Sequence, residues 1–417
     1  METSTTKIGY KEIFAQKEYM KSVIASVINR FGDSVDAIAS TWIVYELTSN
    51  AMWSALIYGM NTLPTVLITP FAGAFVEKRN KKTLMIVTDL IRALCVAYIA
   101  TAYLFSFLQA WHLILTTLII STVEAFRTPA NTAITPMILK EEYYDYGMSL
   151  SNSLSTVISL IGTGIAAGII AIIGTSGAIY LDVITFILSA LIISTIHTYE
   201  SKQKADKFDL KQYSLTLQEG MKYAFSQKTI LLFCLIALFL NGIIVPLNSL
   251  QAPLISEVLG GGATSLSVMG ISISLSMLAG SVLYPVIHKK VTGKQLCIFG
   301  SIGLACFYLG IVACRPFYTS ELISDIILAV LIFILGFAVA LINSFASVEL
   351  IKRVEQDYLA RVVALFTALT VAVNPVISFL LTGLTRILST ASIFLIAGIL
   401  AVIMTFFMAA NKTLKEV

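Results

Sequence analysis

The residues best placed to do chemistry are charged and polar side chains inside long apolar segments. The first such segment holds Asn29, Arg30, Asp33 and Asp36. Asn29, Asp33 and Asp36 recur at intervals of four and three residues, so on a helix they share one face. A carboxylate in membrane hydrocarbon is costly and marks a functional site by default. Asp33, Asp36 and Arg30 are therefore candidates for proton binding and release, and a structural Arg30–Asp33 ion pair is the alternative.

Two further pairs of opposite charge lie in the third and fourth apolar segments. Asp89 and Glu124 each precede an arginine by three residues, Arg92 and Arg127 respectively. Such spacing places each pair on one helix face, which favours salt bridges within the helix. Asp89 and Glu124 remain further candidates for proton coupling. Asp182 lies near the outer end of the sixth segment, and we interpret it as a solvated helix end.

The elements that must position these groups are membrane-spanning helices. The chain has 417 residues, of which 57% are hydrophobic and 12% charged, about half the charged fraction of a soluble domain. Each apolar span approaches or exceeds the roughly 20 residues that cross the hydrocarbon core, and only helices satisfy their backbone there without a partner segment. The fold class is therefore all-α and integral to the membrane, with twelve spans at about 19–47, 51–75, 83–106, 109–133, 147–173, 178–199, 228–256, 264–287, 294–314, 321–349, 358–385 and 389–410.

The polar segments predict the organisation and the topology. Residues 1–199 form one six-helix half and residues 228–417 the other, while residues 200–227 form a cytoplasmic linker. Apolar residues recur at helical spacing over 208–225, which favours an amphipathic surface helix over a flexible linker. With both termini in the cytoplasm, short inside loops hold nearly all of the 28 Lys and Arg residues, except Arg30, Arg92, Arg315 and Arg386. This bias is typical of cytoplasmic loops.

Other classes of function lack their motifs. No GxxxxGK[ST] loop, HExxH pair or Ser/His/Asp arrangement occurs, so we expect no ATP-driven transport through this chain and no enzyme activity. The five cysteines lie in apolar stretches without metal-ligand spacing, and we expect no metal and no cofactor. The net charge of +4 is spread over short loops, which argues against a nucleic-acid partner.

The loop after the second span resembles a signature of the major facilitator superfamily, a glycine followed by an acid and basic residues. Here these are Gly73, Glu77, Lys78, Lys81 and Lys82. Other stretches resemble its macrolide-efflux and enterobactin-exporter branch of drug:proton antiporters: 29–33, 45–49, 126–130, 217–223 and 359–362. The Gly-Pro of the antiporter signature in helix five is replaced by Gly162-Thr163, and the second copy of the loop signature has decayed.

The resemblance implies two pseudo-symmetric six-helix halves, a substrate cavity between them and a gate. The gate residues would be those of the loop signature together with Arg361, with Glu77 locking against Arg361 at the start of helix eleven. Prolines and Asn-Gly pairs interrupt helices two, seven and eleven and mark moving parts. The candidate cavity residues, for which interhelical packing is the alternative, are Asn29, Trp42, Tyr45, Trp53, Asn61, Asn248, Gln251, Asn343 and Asn374.

The sequence thus predicts a secondary active transporter rather than an enzyme. We expect a proton-coupled exporter of amphipathic organic molecules, such as macrolides or siderophore-like compounds, working by alternating access. Its partners would be that substrate, protons and membrane lipid, and it would act as a monomer in a bacterial inner membrane. A lysophospholipid or lipid flippase is the alternative. A membrane enzyme on lipids would need a concentrated polar or metal site, and a sensor would need a sizeable extramembrane domain.

Overall fold

The computed structural model describes residues 10–77, 79–198, 228–353 and 356–411. The predicted linker 200–227 and its helix 208–225 lie outside these ranges. The described regular elements are helices, numbered here in chain order: α1 Tyr10–Phe14, α2 Lys17–Thr48, α3 Ala51–Glu77, α4 Lys81–Leu104, α5 Ala110–Ile138, α6 Tyr144–Ser194, α7 Lys228–Ser249, α8 Gln251–Pro253, α9 Ala263–His288, α10 Gly293–Ala313, α11 Glu321–Arg353, α12 Gln356–Leu384 and α13 Thr390–Ala410.

The helices account for the twelve predicted spans. Among the described residues, eight helices are each long and apolar enough to cross a membrane, or nine if the bent α7–α8 segment counts as one span. Helix α6 has 51 residues and contains two predicted spans, which part at Gly174 (φ 74°, ψ 168°), a conformation that essentially only glycine adopts. Helix α2, which carries charges, and helix α12 account for the two remaining predicted spans. The predicted fold class, an all-α membrane protein, is therefore confirmed.

The chain divides into two compact units. The first consists of Met1–Ile43 and Leu67–Lys207, and the second of Val44–Val66 and Phe208–Val417, in each case as far as these residues are described. The hairpin Val44–Val66, formed by the end of α2 and the start of α3, therefore groups with the later helices. Both α2 and α3 contribute residues to each unit.

Small residues set the packing of the first unit, in which α4 lies against α5 and α6. A Cβ added at Gly162 of α6 would lie 2.9 Å from the Ser34 Cβ and 3.1 Å from the Phe31 oxygen, both on α2. Such close approach of backbones is how membrane helices gain packing energy. The close approach is found at Gly162, whereas Gly168 has no atom within 4 Å of an added Cβ.

The second unit is built on the same principle around α11, which packs against α9 and α10. A Cβ at Gly280 of α9 would meet the Phe337 backbone oxygen at 2.8 Å, and one at Gly336 of α11 would meet the Ser276 Oγ at 1.9 Å. Helix α10 also packs on α13, and α7 on α12. Glycine at these crossings lets the helices approach more closely than any larger residue would.

The seventh span is broken, as the sequence predicts. Helix α7 ends at Ser249, and α8 continues into a π-helical turn, Leu254–Leu259, at 62° to α7. Pro246 and Pro253 have no N–H to donate, which weakens the helix here. The predicted interruptions of helices two and eleven are wrong, because α3 runs unbroken through Pro64 and Pro70 and α12 through Pro375. Membrane helices tolerate proline where neighbouring groups satisfy the freed backbone.

Candidate functional site

Asp33 on α2 forms an ion pair with Arg92 on α4. The Arg92 Nη2 donates to the Asp33 Oδ1 at 2.7 Å, and only 6% of the arginine side chain is exposed. The alternative of a structural Arg30–Asp33 ion pair is not found: Asp33 pairs with Arg92, and the exposed Arg30 acts on Asp33 through its charge.

Asp89 on α4 pairs with Arg127 on α5, and this pair is the more deeply buried. The Arg127 Nε and Nη2 donate to the two carboxylate oxygens of Asp89, and the Ser189 Oγ of α6 donates to Oδ2 at 2.8 Å. Asp89 is fully buried. Both predicted salt bridges within a helix are therefore wrong, since Arg92 and Arg127 reach across to neighbouring helices and Glu124 is exposed.

Asn29 joins the two ion pairs. In the orientation that satisfies both ends of its amide, the nitrogen donates to the Asp33 Oδ2 at 3.0 Å and the oxygen accepts from the Arg127 Nη2 at 3.2 Å. The side chain is 4% exposed. The structure places this predicted cavity residue inside an ion-pair network that links α2, α4, α5 and α6.

Asp182 on α6 is also part of this region, although the sequence suggested a solvated helix end. The residue is 1% exposed, so that interpretation is wrong. Its Oδ1 accepts from the Thr185 Oγ1 at 3.0 Å, and it interacts electrostatically with Arg92. Gly32 on α2 leaves room for the Asp182 side chain, since a Cβ at this position would lie 2.3 Å from the Asp182 Oδ1.

The remaining carboxylate of this region, Asp36, lies one turn beyond Asp33. It accepts from the Ser40 Oγ at 3.0 Å and 3.1 Å.

We call the whole set the charge cluster; its members are Asn29, Asp33, Asp36, Asp89, Arg92, Arg127 and Asp182. The guanidinium of Arg92 also stacks 4.2 Å from the Phe186 ring centroid. Its Nε has no hydrogen-bond partner among the described residues. Four carboxyl groups thus share two guanidinium groups.

The predicted gate lies on the short turn between α3 and α4. Lys82 donates from Nζ to the Ile196 oxygen at the end of α6, at 2.7 Å. Asn80 caps α4 by accepting from the Thr83 N–H. Lys81 is half-buried beside them. The side chains of Gly73, Glu77, Lys78 and Arg361 lie outside the described part of the structure, so the Glu77 lock stays a prediction.

Polar residues of the second unit line two adjoining cavities, each of about 230 Å³. Asn343 on α11 lines both cavities, and Asn248 on α7 lines one of them. Asn241 also lines both, although the sequence suggested it only as a helix breaker. Its position in an Asn-Gly pair within an apolar helix was the available signal.

The other predicted cavity residues have different surroundings. The Tyr45 hydroxyl donates to the Glu257 Oε1 at 3.1 Å, and the Thr390 Oγ1 donates to Oε2 of the same carboxylate at 2.5 Å. Sequence reasoning missed Glu257, which lies on the π-helical turn. Like Asn29 and Tyr45, the remaining candidates line neither cavity: Trp42, Trp53, Asn61, Gln251 and Asn374. Within the described ranges, no three His, Cys, Asp or Glu side chains come together to hold a metal ion.

Spanning helices with ion pairs buried between them and polar cavities define a membrane transporter. The sequence profile of the Major Facilitator Superfamily matches residues 23–370. The chain belongs to this superfamily, and it is a transporter rather than an enzyme.

Relatives and solved structures agree with this assignment. The chain is 24% identical over 293 residues to macrolide efflux protein A of Streptococcus pyogenes, covering 66% of this chain and 72% of that protein. It is 21% identical over 353 residues to multidrug efflux pump Tap of Mycolicibacterium fortuitum, covering 82% and 83%. The crystal structure of the nucleoside transporter NupG has the same fold, with a TM-score of 0.75, 14% identity and coverage of 94% of this chain and 98% of that one.

Proposed function

We propose that this protein is a proton-coupled exporter of amphipathic organic molecules that works by alternating access. The observation that carries the proposal is the charge cluster, in which four carboxyl groups share two guanidinium groups. Two carboxyl groups, Asp36 and Asp182, are in excess, so Arg92 still has negative charge near it when its ion-pair partner Asp33 takes up a proton. Ionisable groups buried between membrane helices are typical of proton relays.

Asp33 is the carboxylate that we assign to coupling. Its side chain is 26% exposed, whereas Asp89 has none of its side chain exposed. A proton from water can therefore reach Asp33 while its partner Arg92 stays buried. Protonation removes the charge that holds Arg92 and changes which arrangement of the helices is favoured. Each charge that crosses about 100 mV supplies roughly 2.3 kcal/mol for transport.

The relatives support the direction and the substrate class. Two of them are named for efflux, one of macrolides and one of several drugs, and we carry over export of macrolide-like or siderophore-like amphiphiles. The distribution of Lys and Arg supports a multi-pass position in a bacterial inner membrane with both termini in the cytoplasm. We retain the Glu77 lock as part of this proposal, on the strength of the loop signature alone.

The test is gradient-driven uptake into proteoliposomes with an acidified interior, because an antiporter accumulates substrate on the acidic side. Erythromycin, a catecholate siderophore and a lysophospholipid are the probes. We expect wild-type protein to accumulate erythromycin, and an ionophore that dissipates the gradient to abolish this. Asp33→Asn should lose accumulation yet keep equilibrium binding, Asp36→Asn should lose less, and Glu321→Gln, an exposed carboxylate of the second unit, should behave like wild type.

Three results would contradict the proposal. Normal accumulation by Asp33→Asn would make Asp33 structural. Uptake that ignores the gradient would remove proton coupling. Movement of the lysophospholipid alone would favour the flippase alternative.

A further inference from the structure

Asp182 is the most deeply buried carboxyl group of the charge cluster that takes part in neither of its ion pairs. The cation that acts on it from α4, Arg92, forms its ion pair with Asp33. From α2, the carboxylates of Asp33 and Asp36 act on it as charges of the same sign. A buried carboxylate with like charges nearby and no ion pair of its own is costly, whereas a neutral carboxyl group is not. The surroundings therefore favour a proton on Asp182.

The hydroxyl group of Thr185 indicates where that proton lies. Its Oγ1 is 2.8 Å from the backbone oxygen of Asp182 and 3.0 Å from the Asp182 Oδ1, and both residues are buried. A hydroxyl group has one hydrogen and two lone pairs, so it donates fully to only one of these two oxygens. A proton on Oδ1 satisfies both contacts, because Thr185 then donates to the backbone oxygen and accepts from the carboxyl group. The 3.0 Å contact then runs in the opposite direction to that for an ionised Asp182.

Arg92 lies beside both Asp33 and Asp182. Its guanidinium stacks on Phe186, which follows Asp182 by four residues on α6, so these two side chains are neighbours on one helix face. On the other side, the Asp182 Oδ1 lies against Gly32 of α2, the residue that directly precedes Asp33. The Nη2 of Arg92 donates to Asp33, while its buried Nε has no hydrogen-bond partner among the described residues. The arginine therefore has a donor in reserve for a second carboxylate.

We propose that Asp182 is a second proton-binding residue of the charge cluster, and that Arg92 exchanges partners between Asp33 and Asp182. In the described conformation Asp33 is ionised and paired, and Asp182 carries a proton. When Asp33 takes up a proton from water, Arg92 turns to Asp182, whose O–H bond breaks and whose proton passes to water. One proton is bound and one is released, so the cluster keeps its charge and the buried guanidinium keeps a partner. The role of this exchange in transport rests on the proposed function, whereas the proton on Asp182 does not depend on it.

The experiment is infrared spectroscopy of the full chain in nanodiscs at neutral pH, without substrate and without a gradient. A protonated carboxyl group has a C=O stretching band apart from the bands of ionised carboxylates and of backbone amides. We expect wild type to show such a band and Asp182→Asn to lose it. Asp182→Asn should nevertheless melt at the wild-type temperature, because its amide N–H replaces the carboxyl O–H as donor to Thr185. Thr185→Val should shift the band, and the control Glu321→Gln, on the exposed surface of the second unit, should leave it unchanged.

The variant Asp33→Asn tests the exchange of partners. It leaves Arg92 without its ion pair, so the arginine should turn to Asp182, and the Asp182 band should be lost. The double variant Asp33→Asn/Arg92→Gln should regain the band, because the cation that holds an ionised Asp182 is gone. Where the double variant shows no cooperative melting, acidification of Asp33→Asn replaces it and should restore the band. A purely structural Asp182 predicts the same band in all of these proteins.

Two results would overturn the inference. Absence of the band from wild type, or its survival in Asp182→Asn, would remove the proton from Asp182. Persistence of the band in Asp33→Asn would remove the exchange of partners. In proteoliposomes, Asp182→Asn should lose gradient-driven accumulation and keep equilibrium binding of erythromycin. If the bands behave as expected in a protein that fails the proteoliposome test, the proton on Asp182 stands and only the transport proposal is refuted.

Discussion

The two units place very different polar groups in their interiors. The first unit buries Asp89, Arg92 and Asp182; ion pairs connect α2, α4 and α5, and a hydrogen bond from Ser189 adds α6. In the second unit Glu349 is the buried charged residue among those described, and the cavities are lined by amides. Charged groups can hold or release protons, whereas amides can only exchange hydrogen bonds. We therefore place the proposed proton coupling in the first unit, whose buried groups are charged, and not in the cavities of the second.

The largest effect should follow from breaking the buried pair of the first unit. Asp89→Asn leaves Arg127 without an opposite charge in a site where 11% of the arginine side chain is exposed. We expect a loss of about 3 kcal/mol in the free energy of unfolding, measured by thermal or denaturant melting in detergent. Glu321→Gln is the control, because it removes an exposed carboxylate of the second unit. Equal stability of the two variants would mean that the pair does not hold the helices together.

The close contact between α2 and α6 predicts the next effect. In Gly32→Ala the new methyl group would lie 2.0 Å from the Thr185 Oγ1 and 2.3 Å from the Asp182 Oδ1, so the helices must separate. We expect a loss of about 1–3 kcal/mol by the same melting measurement. Gly168→Ala, where an added Cβ meets no atom within 4 Å, should be neutral or slightly stabilising. A neutral Gly32→Ala would show that the charge cluster can be rearranged at no cost.

The second unit has its own polar contact, and a smaller effect is expected there. Thr390→Val removes the hydroxyl that donates to Glu257, and Glu257→Ala removes the acceptor of both Thr390 and Tyr45. Each change should cost about 1 kcal/mol in the free energy of unfolding. The double variant should cost less than the sum, because both changes remove the same bond. Strict additivity in this double-mutant cycle would rule out the Thr390–Glu257 contact.

The smallest effect should come from Glu18, at the start of α2 and ahead of its apolar span. A hydrogen bond from Lys21 is the main cause that lowers the pKa of Glu18 below its ordinary value of 4.5, and the His197 N–H also donates to it at 2.7 Å. A lowered pKa stabilises the fold above pH 4.5, and this contribution disappears as the pH falls through the lowered value. Glu18→Gln should therefore cost about 0.5 kcal/mol at neutral pH, and this cost should shrink as the pH falls through the lowered pKa. If Glu18→Gln remains equally destabilised in acid, the lost free energy of unfolding comes from packing and not from the charge of Glu18.

Span positions and the class of protein could be predicted from the sequence because they depend on local composition. A long apolar segment must be a membrane helix, and the Gly-rich stretch at 174–177 separates two spans of α6 as predicted. The break near Pro253 has the same local origin.

The partners within the charge cluster could not be predicted, because spacing along a chain tests only contacts within one helix. Which arginine meets Asp33 or Asp89 depends on how α4 and α5 are rotated against α2. The burial of Asp182 likewise depends on a glycine in another helix, Gly32. The two cavities of the second unit were partly predicted through Asn248 and Asn343, since a costly polar group in an apolar helix needs a reason to be there.

Helix α3 belongs to both units, and this has a mechanical consequence. The boundary falls between Val66 and Leu67, and Pro64 and Pro70 lie on either side of it within an unbroken helix. Each proline removes one backbone hydrogen bond, so this stretch bends more easily than the rest of the helix. A bend there would leave both ends of α3 helical.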